Sequence, residues 1–267
     1  MTASSLNSRE KRAAVSLASV FAFRMLGLFM LMPVLAIYGQ QLEGFSPLWI
    51  GFAIGAYGLT QAVLQIPMGW LSDKIGRKKV IIGGLCVFAL GSVIAATAES
   101  VQMVTLGRAL QGMGAIASAL LALASDLSRD EQRPKVMAVI GMCIGMSFAV
   151  AMLLGPIVAA SWGVAGVFWL TAGLALLGIF IVLFLVPNAV SKAPKGDTLA
   201  TLDDIKQLIK HPQLARLDFG VMLLHLTLTT VFVALPGQLI KDGLVADHHW
   251  YLYIPVLFLA FFLMAPM

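Results

Sequence analysis

Long apolar runs separated by short polar islands organise this sequence. Eight runs stand out, at 15–38, 48–71, 80–98, 101–125, 136–160, 164–186, 214–239 and 251–267. A helix that crosses a bilayer needs about 20 mostly apolar residues, so each of the first seven reads as a spanning helix. The eighth holds 17 residues with no polar flank and reads as a helix cut short. The run at 15–38 exceeds the roughly 7–15 residues of a signal-peptide core and is expected to stay in place as the first span.

Composition agrees with the pattern. Of 267 residues 60% are hydrophobic and 12% charged, with mean hydropathy +0.92, where soluble domains carry about 25% charged residues. So few charges cannot cover the surface of a soluble protein, and the fold class is all-α integral membrane. The 18 Lys and Arg exceed the 13 Asp and Glu. In a soluble chain that excess would point to nucleic acid; here it follows the islands. Segments 9–12, 74–79, 129–135 and 192–216 hold fifteen of the eighteen cations. All lie on one side if the N-terminus is cytoplasmic, the asymmetry that orients membrane proteins. Cys86 and Cys143 sit inside apolar runs, spaced for neither a disulfide framework nor a metal site.

Connections then divide the chain. The first five are short, so consecutive helices are antiparallel neighbours. The sixth, 187–213, is long, polar and basic. Within it Leu199, Leu202, Ile205, Leu208 and Ile209 recur at helical spacing behind a Thr198 or Thr201 cap, which predicts an amphipathic helix on the cytoplasmic membrane face. The expected domains are a six-helix bundle at 1–186, a linker at 187–213 and the start of a second bundle at 214–267. Pro33 near the outer end of the first span and Pro236 near that of the seventh form a weak parallel repeat, a device of secondary transporters.

One island is unlike an ordinary loop. Residues 73–79 carry five charges in seven positions. Gly69, Asp73 and Arg77 are spaced by four, one face of any helical continuation, and Gly69 and Gly76 permit close backbone approach. The island resembles the loop signature of the major facilitator superfamily, carried here by Gly69, Asp73, Lys74, Gly76, Arg77 and Lys78. Two further motifs are similar to those of the same superfamily. They are Arg108-Ala-Leu-Gln111-Gly112 in the fourth span, and Ala151 with Gly155-Pro156 in the fifth, where Ala151 replaces a glycine of the antiporter motif. The trailing Ala159-Ala160 stands in for two glycines of that motif.

The resemblance implies the major facilitator fold and alternating access, in the branch of drug:proton antiporters of the bacterial inner membrane. It also implies a monomer with protons and a small molecule as partners and no cofactor. It makes the island a latch, in which Arg77 pairs with Asp73 and with Asp126, and Arg133 offers another partner. The alternative is that these charges only fix topology.

Inside the spans the residues speak for themselves. Arg24 lies nine residues before Pro33, about 13 Å along the axis, and a cation at that depth is expensive and functional by default. It either binds an anionic group or holds a neighbouring site in register. Tyr57, Gln61 and Gln65 share a helix face and, with Gln111, are candidates for a polar cavity. Arg108 is a candidate for binding or proton coupling, or for snorkelling to the outer interface. His225, at Arg24's level by the repeat, is a candidate proton carrier or a packing donor. No carboxylate falls mid-membrane, so the substrate's charge class stays open. The leading function is proton-coupled efflux of small amphipathic molecules; a metabolite importer and a non-transporting sensor are the alternatives. No nucleotide loop, metal cluster or nucleophile–base pair suggests an enzyme.

Overall fold

The computed structural model describes residues 6–188, 207, 211–245, 248–249, 251–256 and 259. The predicted amphipathic helix at 198–210 falls outside them but for residue 207, and of the eighth run only 251–256 and 259 fall within them. Helices dominate the described residues, with no β-strand among them.

Helix α1 (Ser8–Tyr38) starts at a reciprocal cap. The Asn7 side chain accepts from the Glu10 N–H at 2.8 Å, and the Glu10 carboxylate accepts from the Asn7 N–H at 2.9 Å, which satisfies two of the orphan donors at a helix start. Helix α2 (Pro47–Ile75) opens with a Ser46 cap and Pro47 in the first turn, where a missing N–H costs nothing. Helix α3 (Arg77–Ala96) follows after the single residue Gly76. Its φ of +103° is a conformation that side-chain-bearing residues avoid, so a glycine makes this one-residue corner. The charged island is therefore a tight joint and not a continuing helix.

The fourth span departs from its predicted form. A single helix was expected over 101–125, but the chain forms α4 (Val101–Met113) and α5 (Ala117–Asp126). At the break the Gly114 N–H turns to the Gln111 carbonyl at 3.1 Å. Gly112 faces Thr60 and the Tyr57 carbonyl of α2, and Gly114 faces the Gly84 carbonyl of α3, each with no room for a Cβ. Two poor helix formers at points of closest backbone approach outweigh the apolar run.

The fifth and sixth spans form one hydrogen-bonded element, α6 (Arg133–Phe184), which reverses at Gly163 with φ +65°. Both ends of α6 return to the same side, since Arg129, just before its start, pairs with Glu10 at the start of α1, and Arg12 of that same start reaches the Leu185 and Phe184 carbonyls at its end. We call this side the basic end. Helix α7 (Pro212–Lys241) packs on the bundle through aromatic rings. Phe148 of α6 contacts Phe29 at 5.0 Å and Phe232 at 4.9 Å between ring centroids. The two proline-bearing segments that repeat in sequence thus share one aromatic partner.

The core has two apolar blocks. Leu17, Phe21, Ile81, Leu85, Leu120, Leu123 and Val182 fill the half towards the basic end. Leu31, Leu35, Ile50, Val104, Val167 and Phe168 fill the other. Between them a small cluster of Tyr57, Phe88, Ala89 and Ala175 marks the level where polar side chains enter. Outward faces of α2 and α7 expose Leu59, Val63, Leu217 and Leu224, apolar surface suited to hydrocarbon.

The first limb of α6 lies tightly on α1. A Cβ at position 155 would sit 3.0 Å from the Met30 carbonyl oxygen and 3.3 Å from its Cα. Replacing Gly155 by Val is expected to destabilise the bundle by about 1–3 kcal/mol, the usual cost of overpacking. Gly141→Ala, where nothing lies within 4 Å, is expected to be neutral. Thermal unfolding of the detergent-solubilised protein, followed by tryptophan fluorescence, compares the two; equal shifts would disprove the close α1–α6 packing.

Candidate functional site

Two arginines are buried at the level between the apolar blocks. Arg24 of α1 and Arg108 of α4 are each 2% exposed. They flank one ring: the Arg108 guanidinium carbon lies 4.6 Å and that of Arg24 5.8 Å from the centroid of Tyr57. Arg24 is also 5.8 Å from Phe88. The quadrupole of an aromatic face attracts a cation, but it does not cancel the charge.

The hydrogen bonds of the two arginines differ. Arg108 Nε donates to the Ala53 carbonyl at 3.2 Å, and Nη1 to Gln111 Oε1 at 2.9 Å. Gln111 Nε2 donates to Ser92 Oγ at 2.7 Å, whose hydroxyl donates to the Phe88 carbonyl at 2.8 Å. This chain ties α2, α3 and α4 together, and Ser92 is a member that sequence reading missed: a serine in an apolar helix gives no periodic signal. Arg24 Nη2 donates to Gln61 Oε1 at 3.0 Å. Its Nε and Nη1, and the Tyr57 hydroxyl, are buried without a hydrogen-bond partner among the described residues. Neither arginine forms an ion pair there.

Other candidates stand apart from this cluster. Gln65 is half-buried, and its backbone carbonyl accepts from Ser118 at 3.1 Å. His225 is exposed on α7, with Nδ1 2.9 Å from the Val221 carbonyl oxygen of its own helix. Ala151, Gly155 and Pro156 are buried against α1 and the second apolar block. A recess of about 330 Å³ bounded by Tyr38, Gln41, Glu99 and Gly163 lies at the end opposite the basic one and includes none of these candidates.

The basic end holds a second cluster. Arg77 pairs with Asp73 of α2, with Asp126 Oδ2 of α5 at 2.9 Å, and donates to Ser72 Oγ at 3.0 Å. One side chain thereby joins three helices. Gly69 approaches Ser118 of α5, which keeps α2 and α5 adjacent below the joint. Arg133 turns to Asp130 at 2.9 Å, and Lys78 leaves the island altogether. Lys78 Nζ donates to the Val186 carbonyl at 2.6 Å and to Asn188 Oδ1 at 2.7 Å. Arg12 donates to the Leu185 and Phe184 carbonyls at 2.8 and 3.0 Å. These cations close the C-terminus of α6, where unsatisfied carbonyls and the helix dipole favour positive charge.

A further ion pair, between Glu10 and Arg129, escaped the sequence reading. Glu10, 2% exposed, accepts from Arg129 Nε at 2.8 Å, Nη2 at 2.9 Å and the Arg129 N–H at 3.1 Å. Its capping pattern with Asn7 is local and legible, but a partner 119 positions away leaves no sequence signal. Glu10 precedes the apolar run at 15, and the Arg129 side chain holds its carboxyl down at about 2.

The family model described as Major Facilitator Superfamily matches residues 17–267. The inner membrane transport protein YajR of Escherichia coli K12 is 50% identical over 252 residues, which are 94% of this chain and 56% of YajR. A putative multidrug resistance protein, MdtD of Enterobacter sp. 638, is 27% identical over 73% of this chain and 38% of its own. Among solved structures, an inward-facing, unoccupied bacterial homologue of the human lysosomal transporter Spinster superposes with TM-score 0.69 at 14% identity. The match covers 92% of this chain and 58% of the other. The chain thus spans little more than half the length of YajR.

A depressed carboxyl stabilises the fold above its unfolded pKa and loses that stabilisation as pH falls through its folded one. The Glu10–Arg129 contribution is therefore expected in full above about pH 4.5 and to fade towards pH 2. Melting temperature measured from pH 7 to 3 tests this: the Glu10→Gln protein should start lower and fall less steeply. Parallel curves would show that Glu10 carries no such linkage.

Proposed function

This chain belongs to the major facilitator superfamily, and from that premise we propose that it works as a proton-coupled exporter of small amphipathic molecules by alternating access. The carrying observation is the buried polar cluster around Arg24, Tyr57 and Arg108 at the centre of an otherwise apolar bundle. Buried cations in hydrocarbon are costly and mark substrate or ion pathways. A bundle that only packed would be more stable without them.

The second support is the joint at the basic end. In this reading Arg77, Asp73 and Asp126 form a latch whose bonds break and reform as two halves rock. Protonating Asp73 or Asp126 would loosen Arg77 and bias the cycle, since a ligand or proton shifts a two-state equilibrium only through its differential affinity. Lys78 and Arg133, engaged elsewhere, act as supports of that end. The halves are a bundle at 1–186 and a second beginning at 214, linked by 187–213. The basic end faces the cytoplasm across the bacterial inner membrane, in keeping with the charge asymmetry. Efflux is favoured over uptake by the Gly155-Pro156 motif and by likeness to a protein named for multidrug resistance.

Everted membrane vesicles carrying the full natural chain test this reading. With the interior acidified, cationic, neutral and anionic amphiphiles are added while a pH-sensitive dye is read. Some compounds are expected to collapse the gradient, and Asp73→Asn and Arg24→Ala to lower that response by roughly tenfold or more, the scale of a lost charge-assisted hydrogen bond. A flat response to the whole panel from folded protein would refute proton-coupled export.

A further inference from the structure

We propose that Arg24 is the recognition point for an organic anion, so that the substrate of this transporter carries a carboxylate on an apolar, aromatic-sized body. The inference rests on the transport reading above and adds the charge class that the sequence left open.

The two buried arginines are not equivalent. Arg108 spends its donors on the Ala53 carbonyl and on Gln111, and Gln111 is held in turn by Ser92. No nitrogen of Arg108 is buried without a partner among the described residues. Arg24 has one bond, to Gln61, which with the rings of Tyr57 and Phe88 fixes the plane of the guanidinium. Its Nε and Nη1 have no partner among the described residues, nor has the hydroxyl of Tyr57. Leaving such donors dry is unfavourable, and a guanidinium cannot escape by losing its proton. What satisfies both the charge and the donors is an oxyanion, and Arg suits a carboxylate better than any other side chain does.

The surroundings set sign and shape. No carboxylate of the described residues pairs with Arg24 or Arg108. A cationic guest would become a third positive charge in a site screened from water, where like charges repel strongly. A neutral guest would leave the charge uncompensated. The rings of Tyr57 and Phe88 lie beside the Arg24 guanidinium, which suits an apolar body behind the anionic head. Arg24 thereby discriminates by penalty as well as by contact, because a guest without the anion leaves its donors unpaired.

Three naphthalene probes of equal size isolate the head group: 2-naphthoate, 2-naphthylmethanol and 2-naphthylmethylammonium. Each is measured by equilibrium dialysis against the full natural chain in lipid nanodiscs. The naphthoate is expected to bind at least about tenfold more tightly than the other two, since a charged hydrogen bond carries that much. Arg24→Gln is expected to weaken naphthoate roughly ten- to a hundredfold and not to weaken the alcohol. Arg24→Lys, which keeps the charge and loses the fork, should fall between, and Tyr57→Phe should lose a few fold. Melting curves of each variant, with and without naphthoate, separate lost recognition from lost folding, because a folded Arg24→Gln protein gains no thermal shift from the probe. No preference of the native protein for naphthoate overturns the proposal. Naphthoate binding undiminished in Arg24→Gln overturns it too, as does a carboxylate elsewhere in the chain whose removal alone frees Arg24 for the probe. Flux in proteoliposomes tells the two readings apart. Naphthoate that binds through Arg24 without being carried would keep the anion site and sink transport. Gradient collapse driven by the ammonium probe alone would do the reverse.

Discussion

Hydrocarbon offers no hydrogen bonds, and a guanidinium cannot shed its charge; the centre of this structure follows from those two facts together. Arg24 and Arg108 must find partners inside the bundle. The helices around them are arranged to supply what they can: a backbone carbonyl at Ala53, side-chain amides at Gln61 and Gln111, and the faces of Tyr57 and Phe88. The approach of α3 to α4 depends on the same constraint. Gly91 and Gly107 meet backbone to backbone, where a Cβ at 91 would lie 2.6 Å from the Gln111 nitrogen. Small residues let helices close on one another without side chains between. That closeness is what brings Ser92 within reach of Gln111. The break between α4 and α5 belongs to this arrangement too, since Gly112 and Gly114 mark where α2 and α3 press nearest.

The basic end obeys different physics. Here water is near, and ion pairs are individually weak, so arrangement matters more than number. Arg77 joins three helices across a joint of a single glycine. Glu10 and Arg129 fasten the start of α1 to the turn before α6, and Arg12 and Lys78 close the end of α6. The same excess of cations that orients a membrane chain thus serves as a set of fasteners. A centre with unspent donors and an end laced by ion pairs are the two features on which the proposed transport rests, one for the guest and one for the motion.

Much of the fold was legible before any coordinates. Seven apolar runs of spanning length dictate seven membrane-crossing limbs, because nothing but a helix satisfies its own backbone in lipid. Clustering of fifteen of the eighteen cations assigns the ends of those limbs to two sides. The loop signature with its Gly76 corner, and Arg24 as a cation deep in a helix, stand out for a related reason: each violates the local apolar pattern, and a violation in hydrocarbon costs too much to be idle. These are properties of single segments, so a linear reading reaches them.

What only the tertiary structure decided involves pairs of segments. That Arg108 is spent on Gln111 and Ala53 while Arg24 keeps free donors depends on how four helices rotate about their axes. That Lys78 leaves the island for the end of α6, that Arg133 turns to Asp130, and that Glu10 meets Arg129 depends on which helix ends lie side by side. The interruption at Gly114 arises from neighbours pressing on a glycine that, read alone, could continue the helix. Sequence spacing specifies which residues share a face; it does not specify what that face meets, because contacts between segments far apart in the chain are set by the packing of all of them at once.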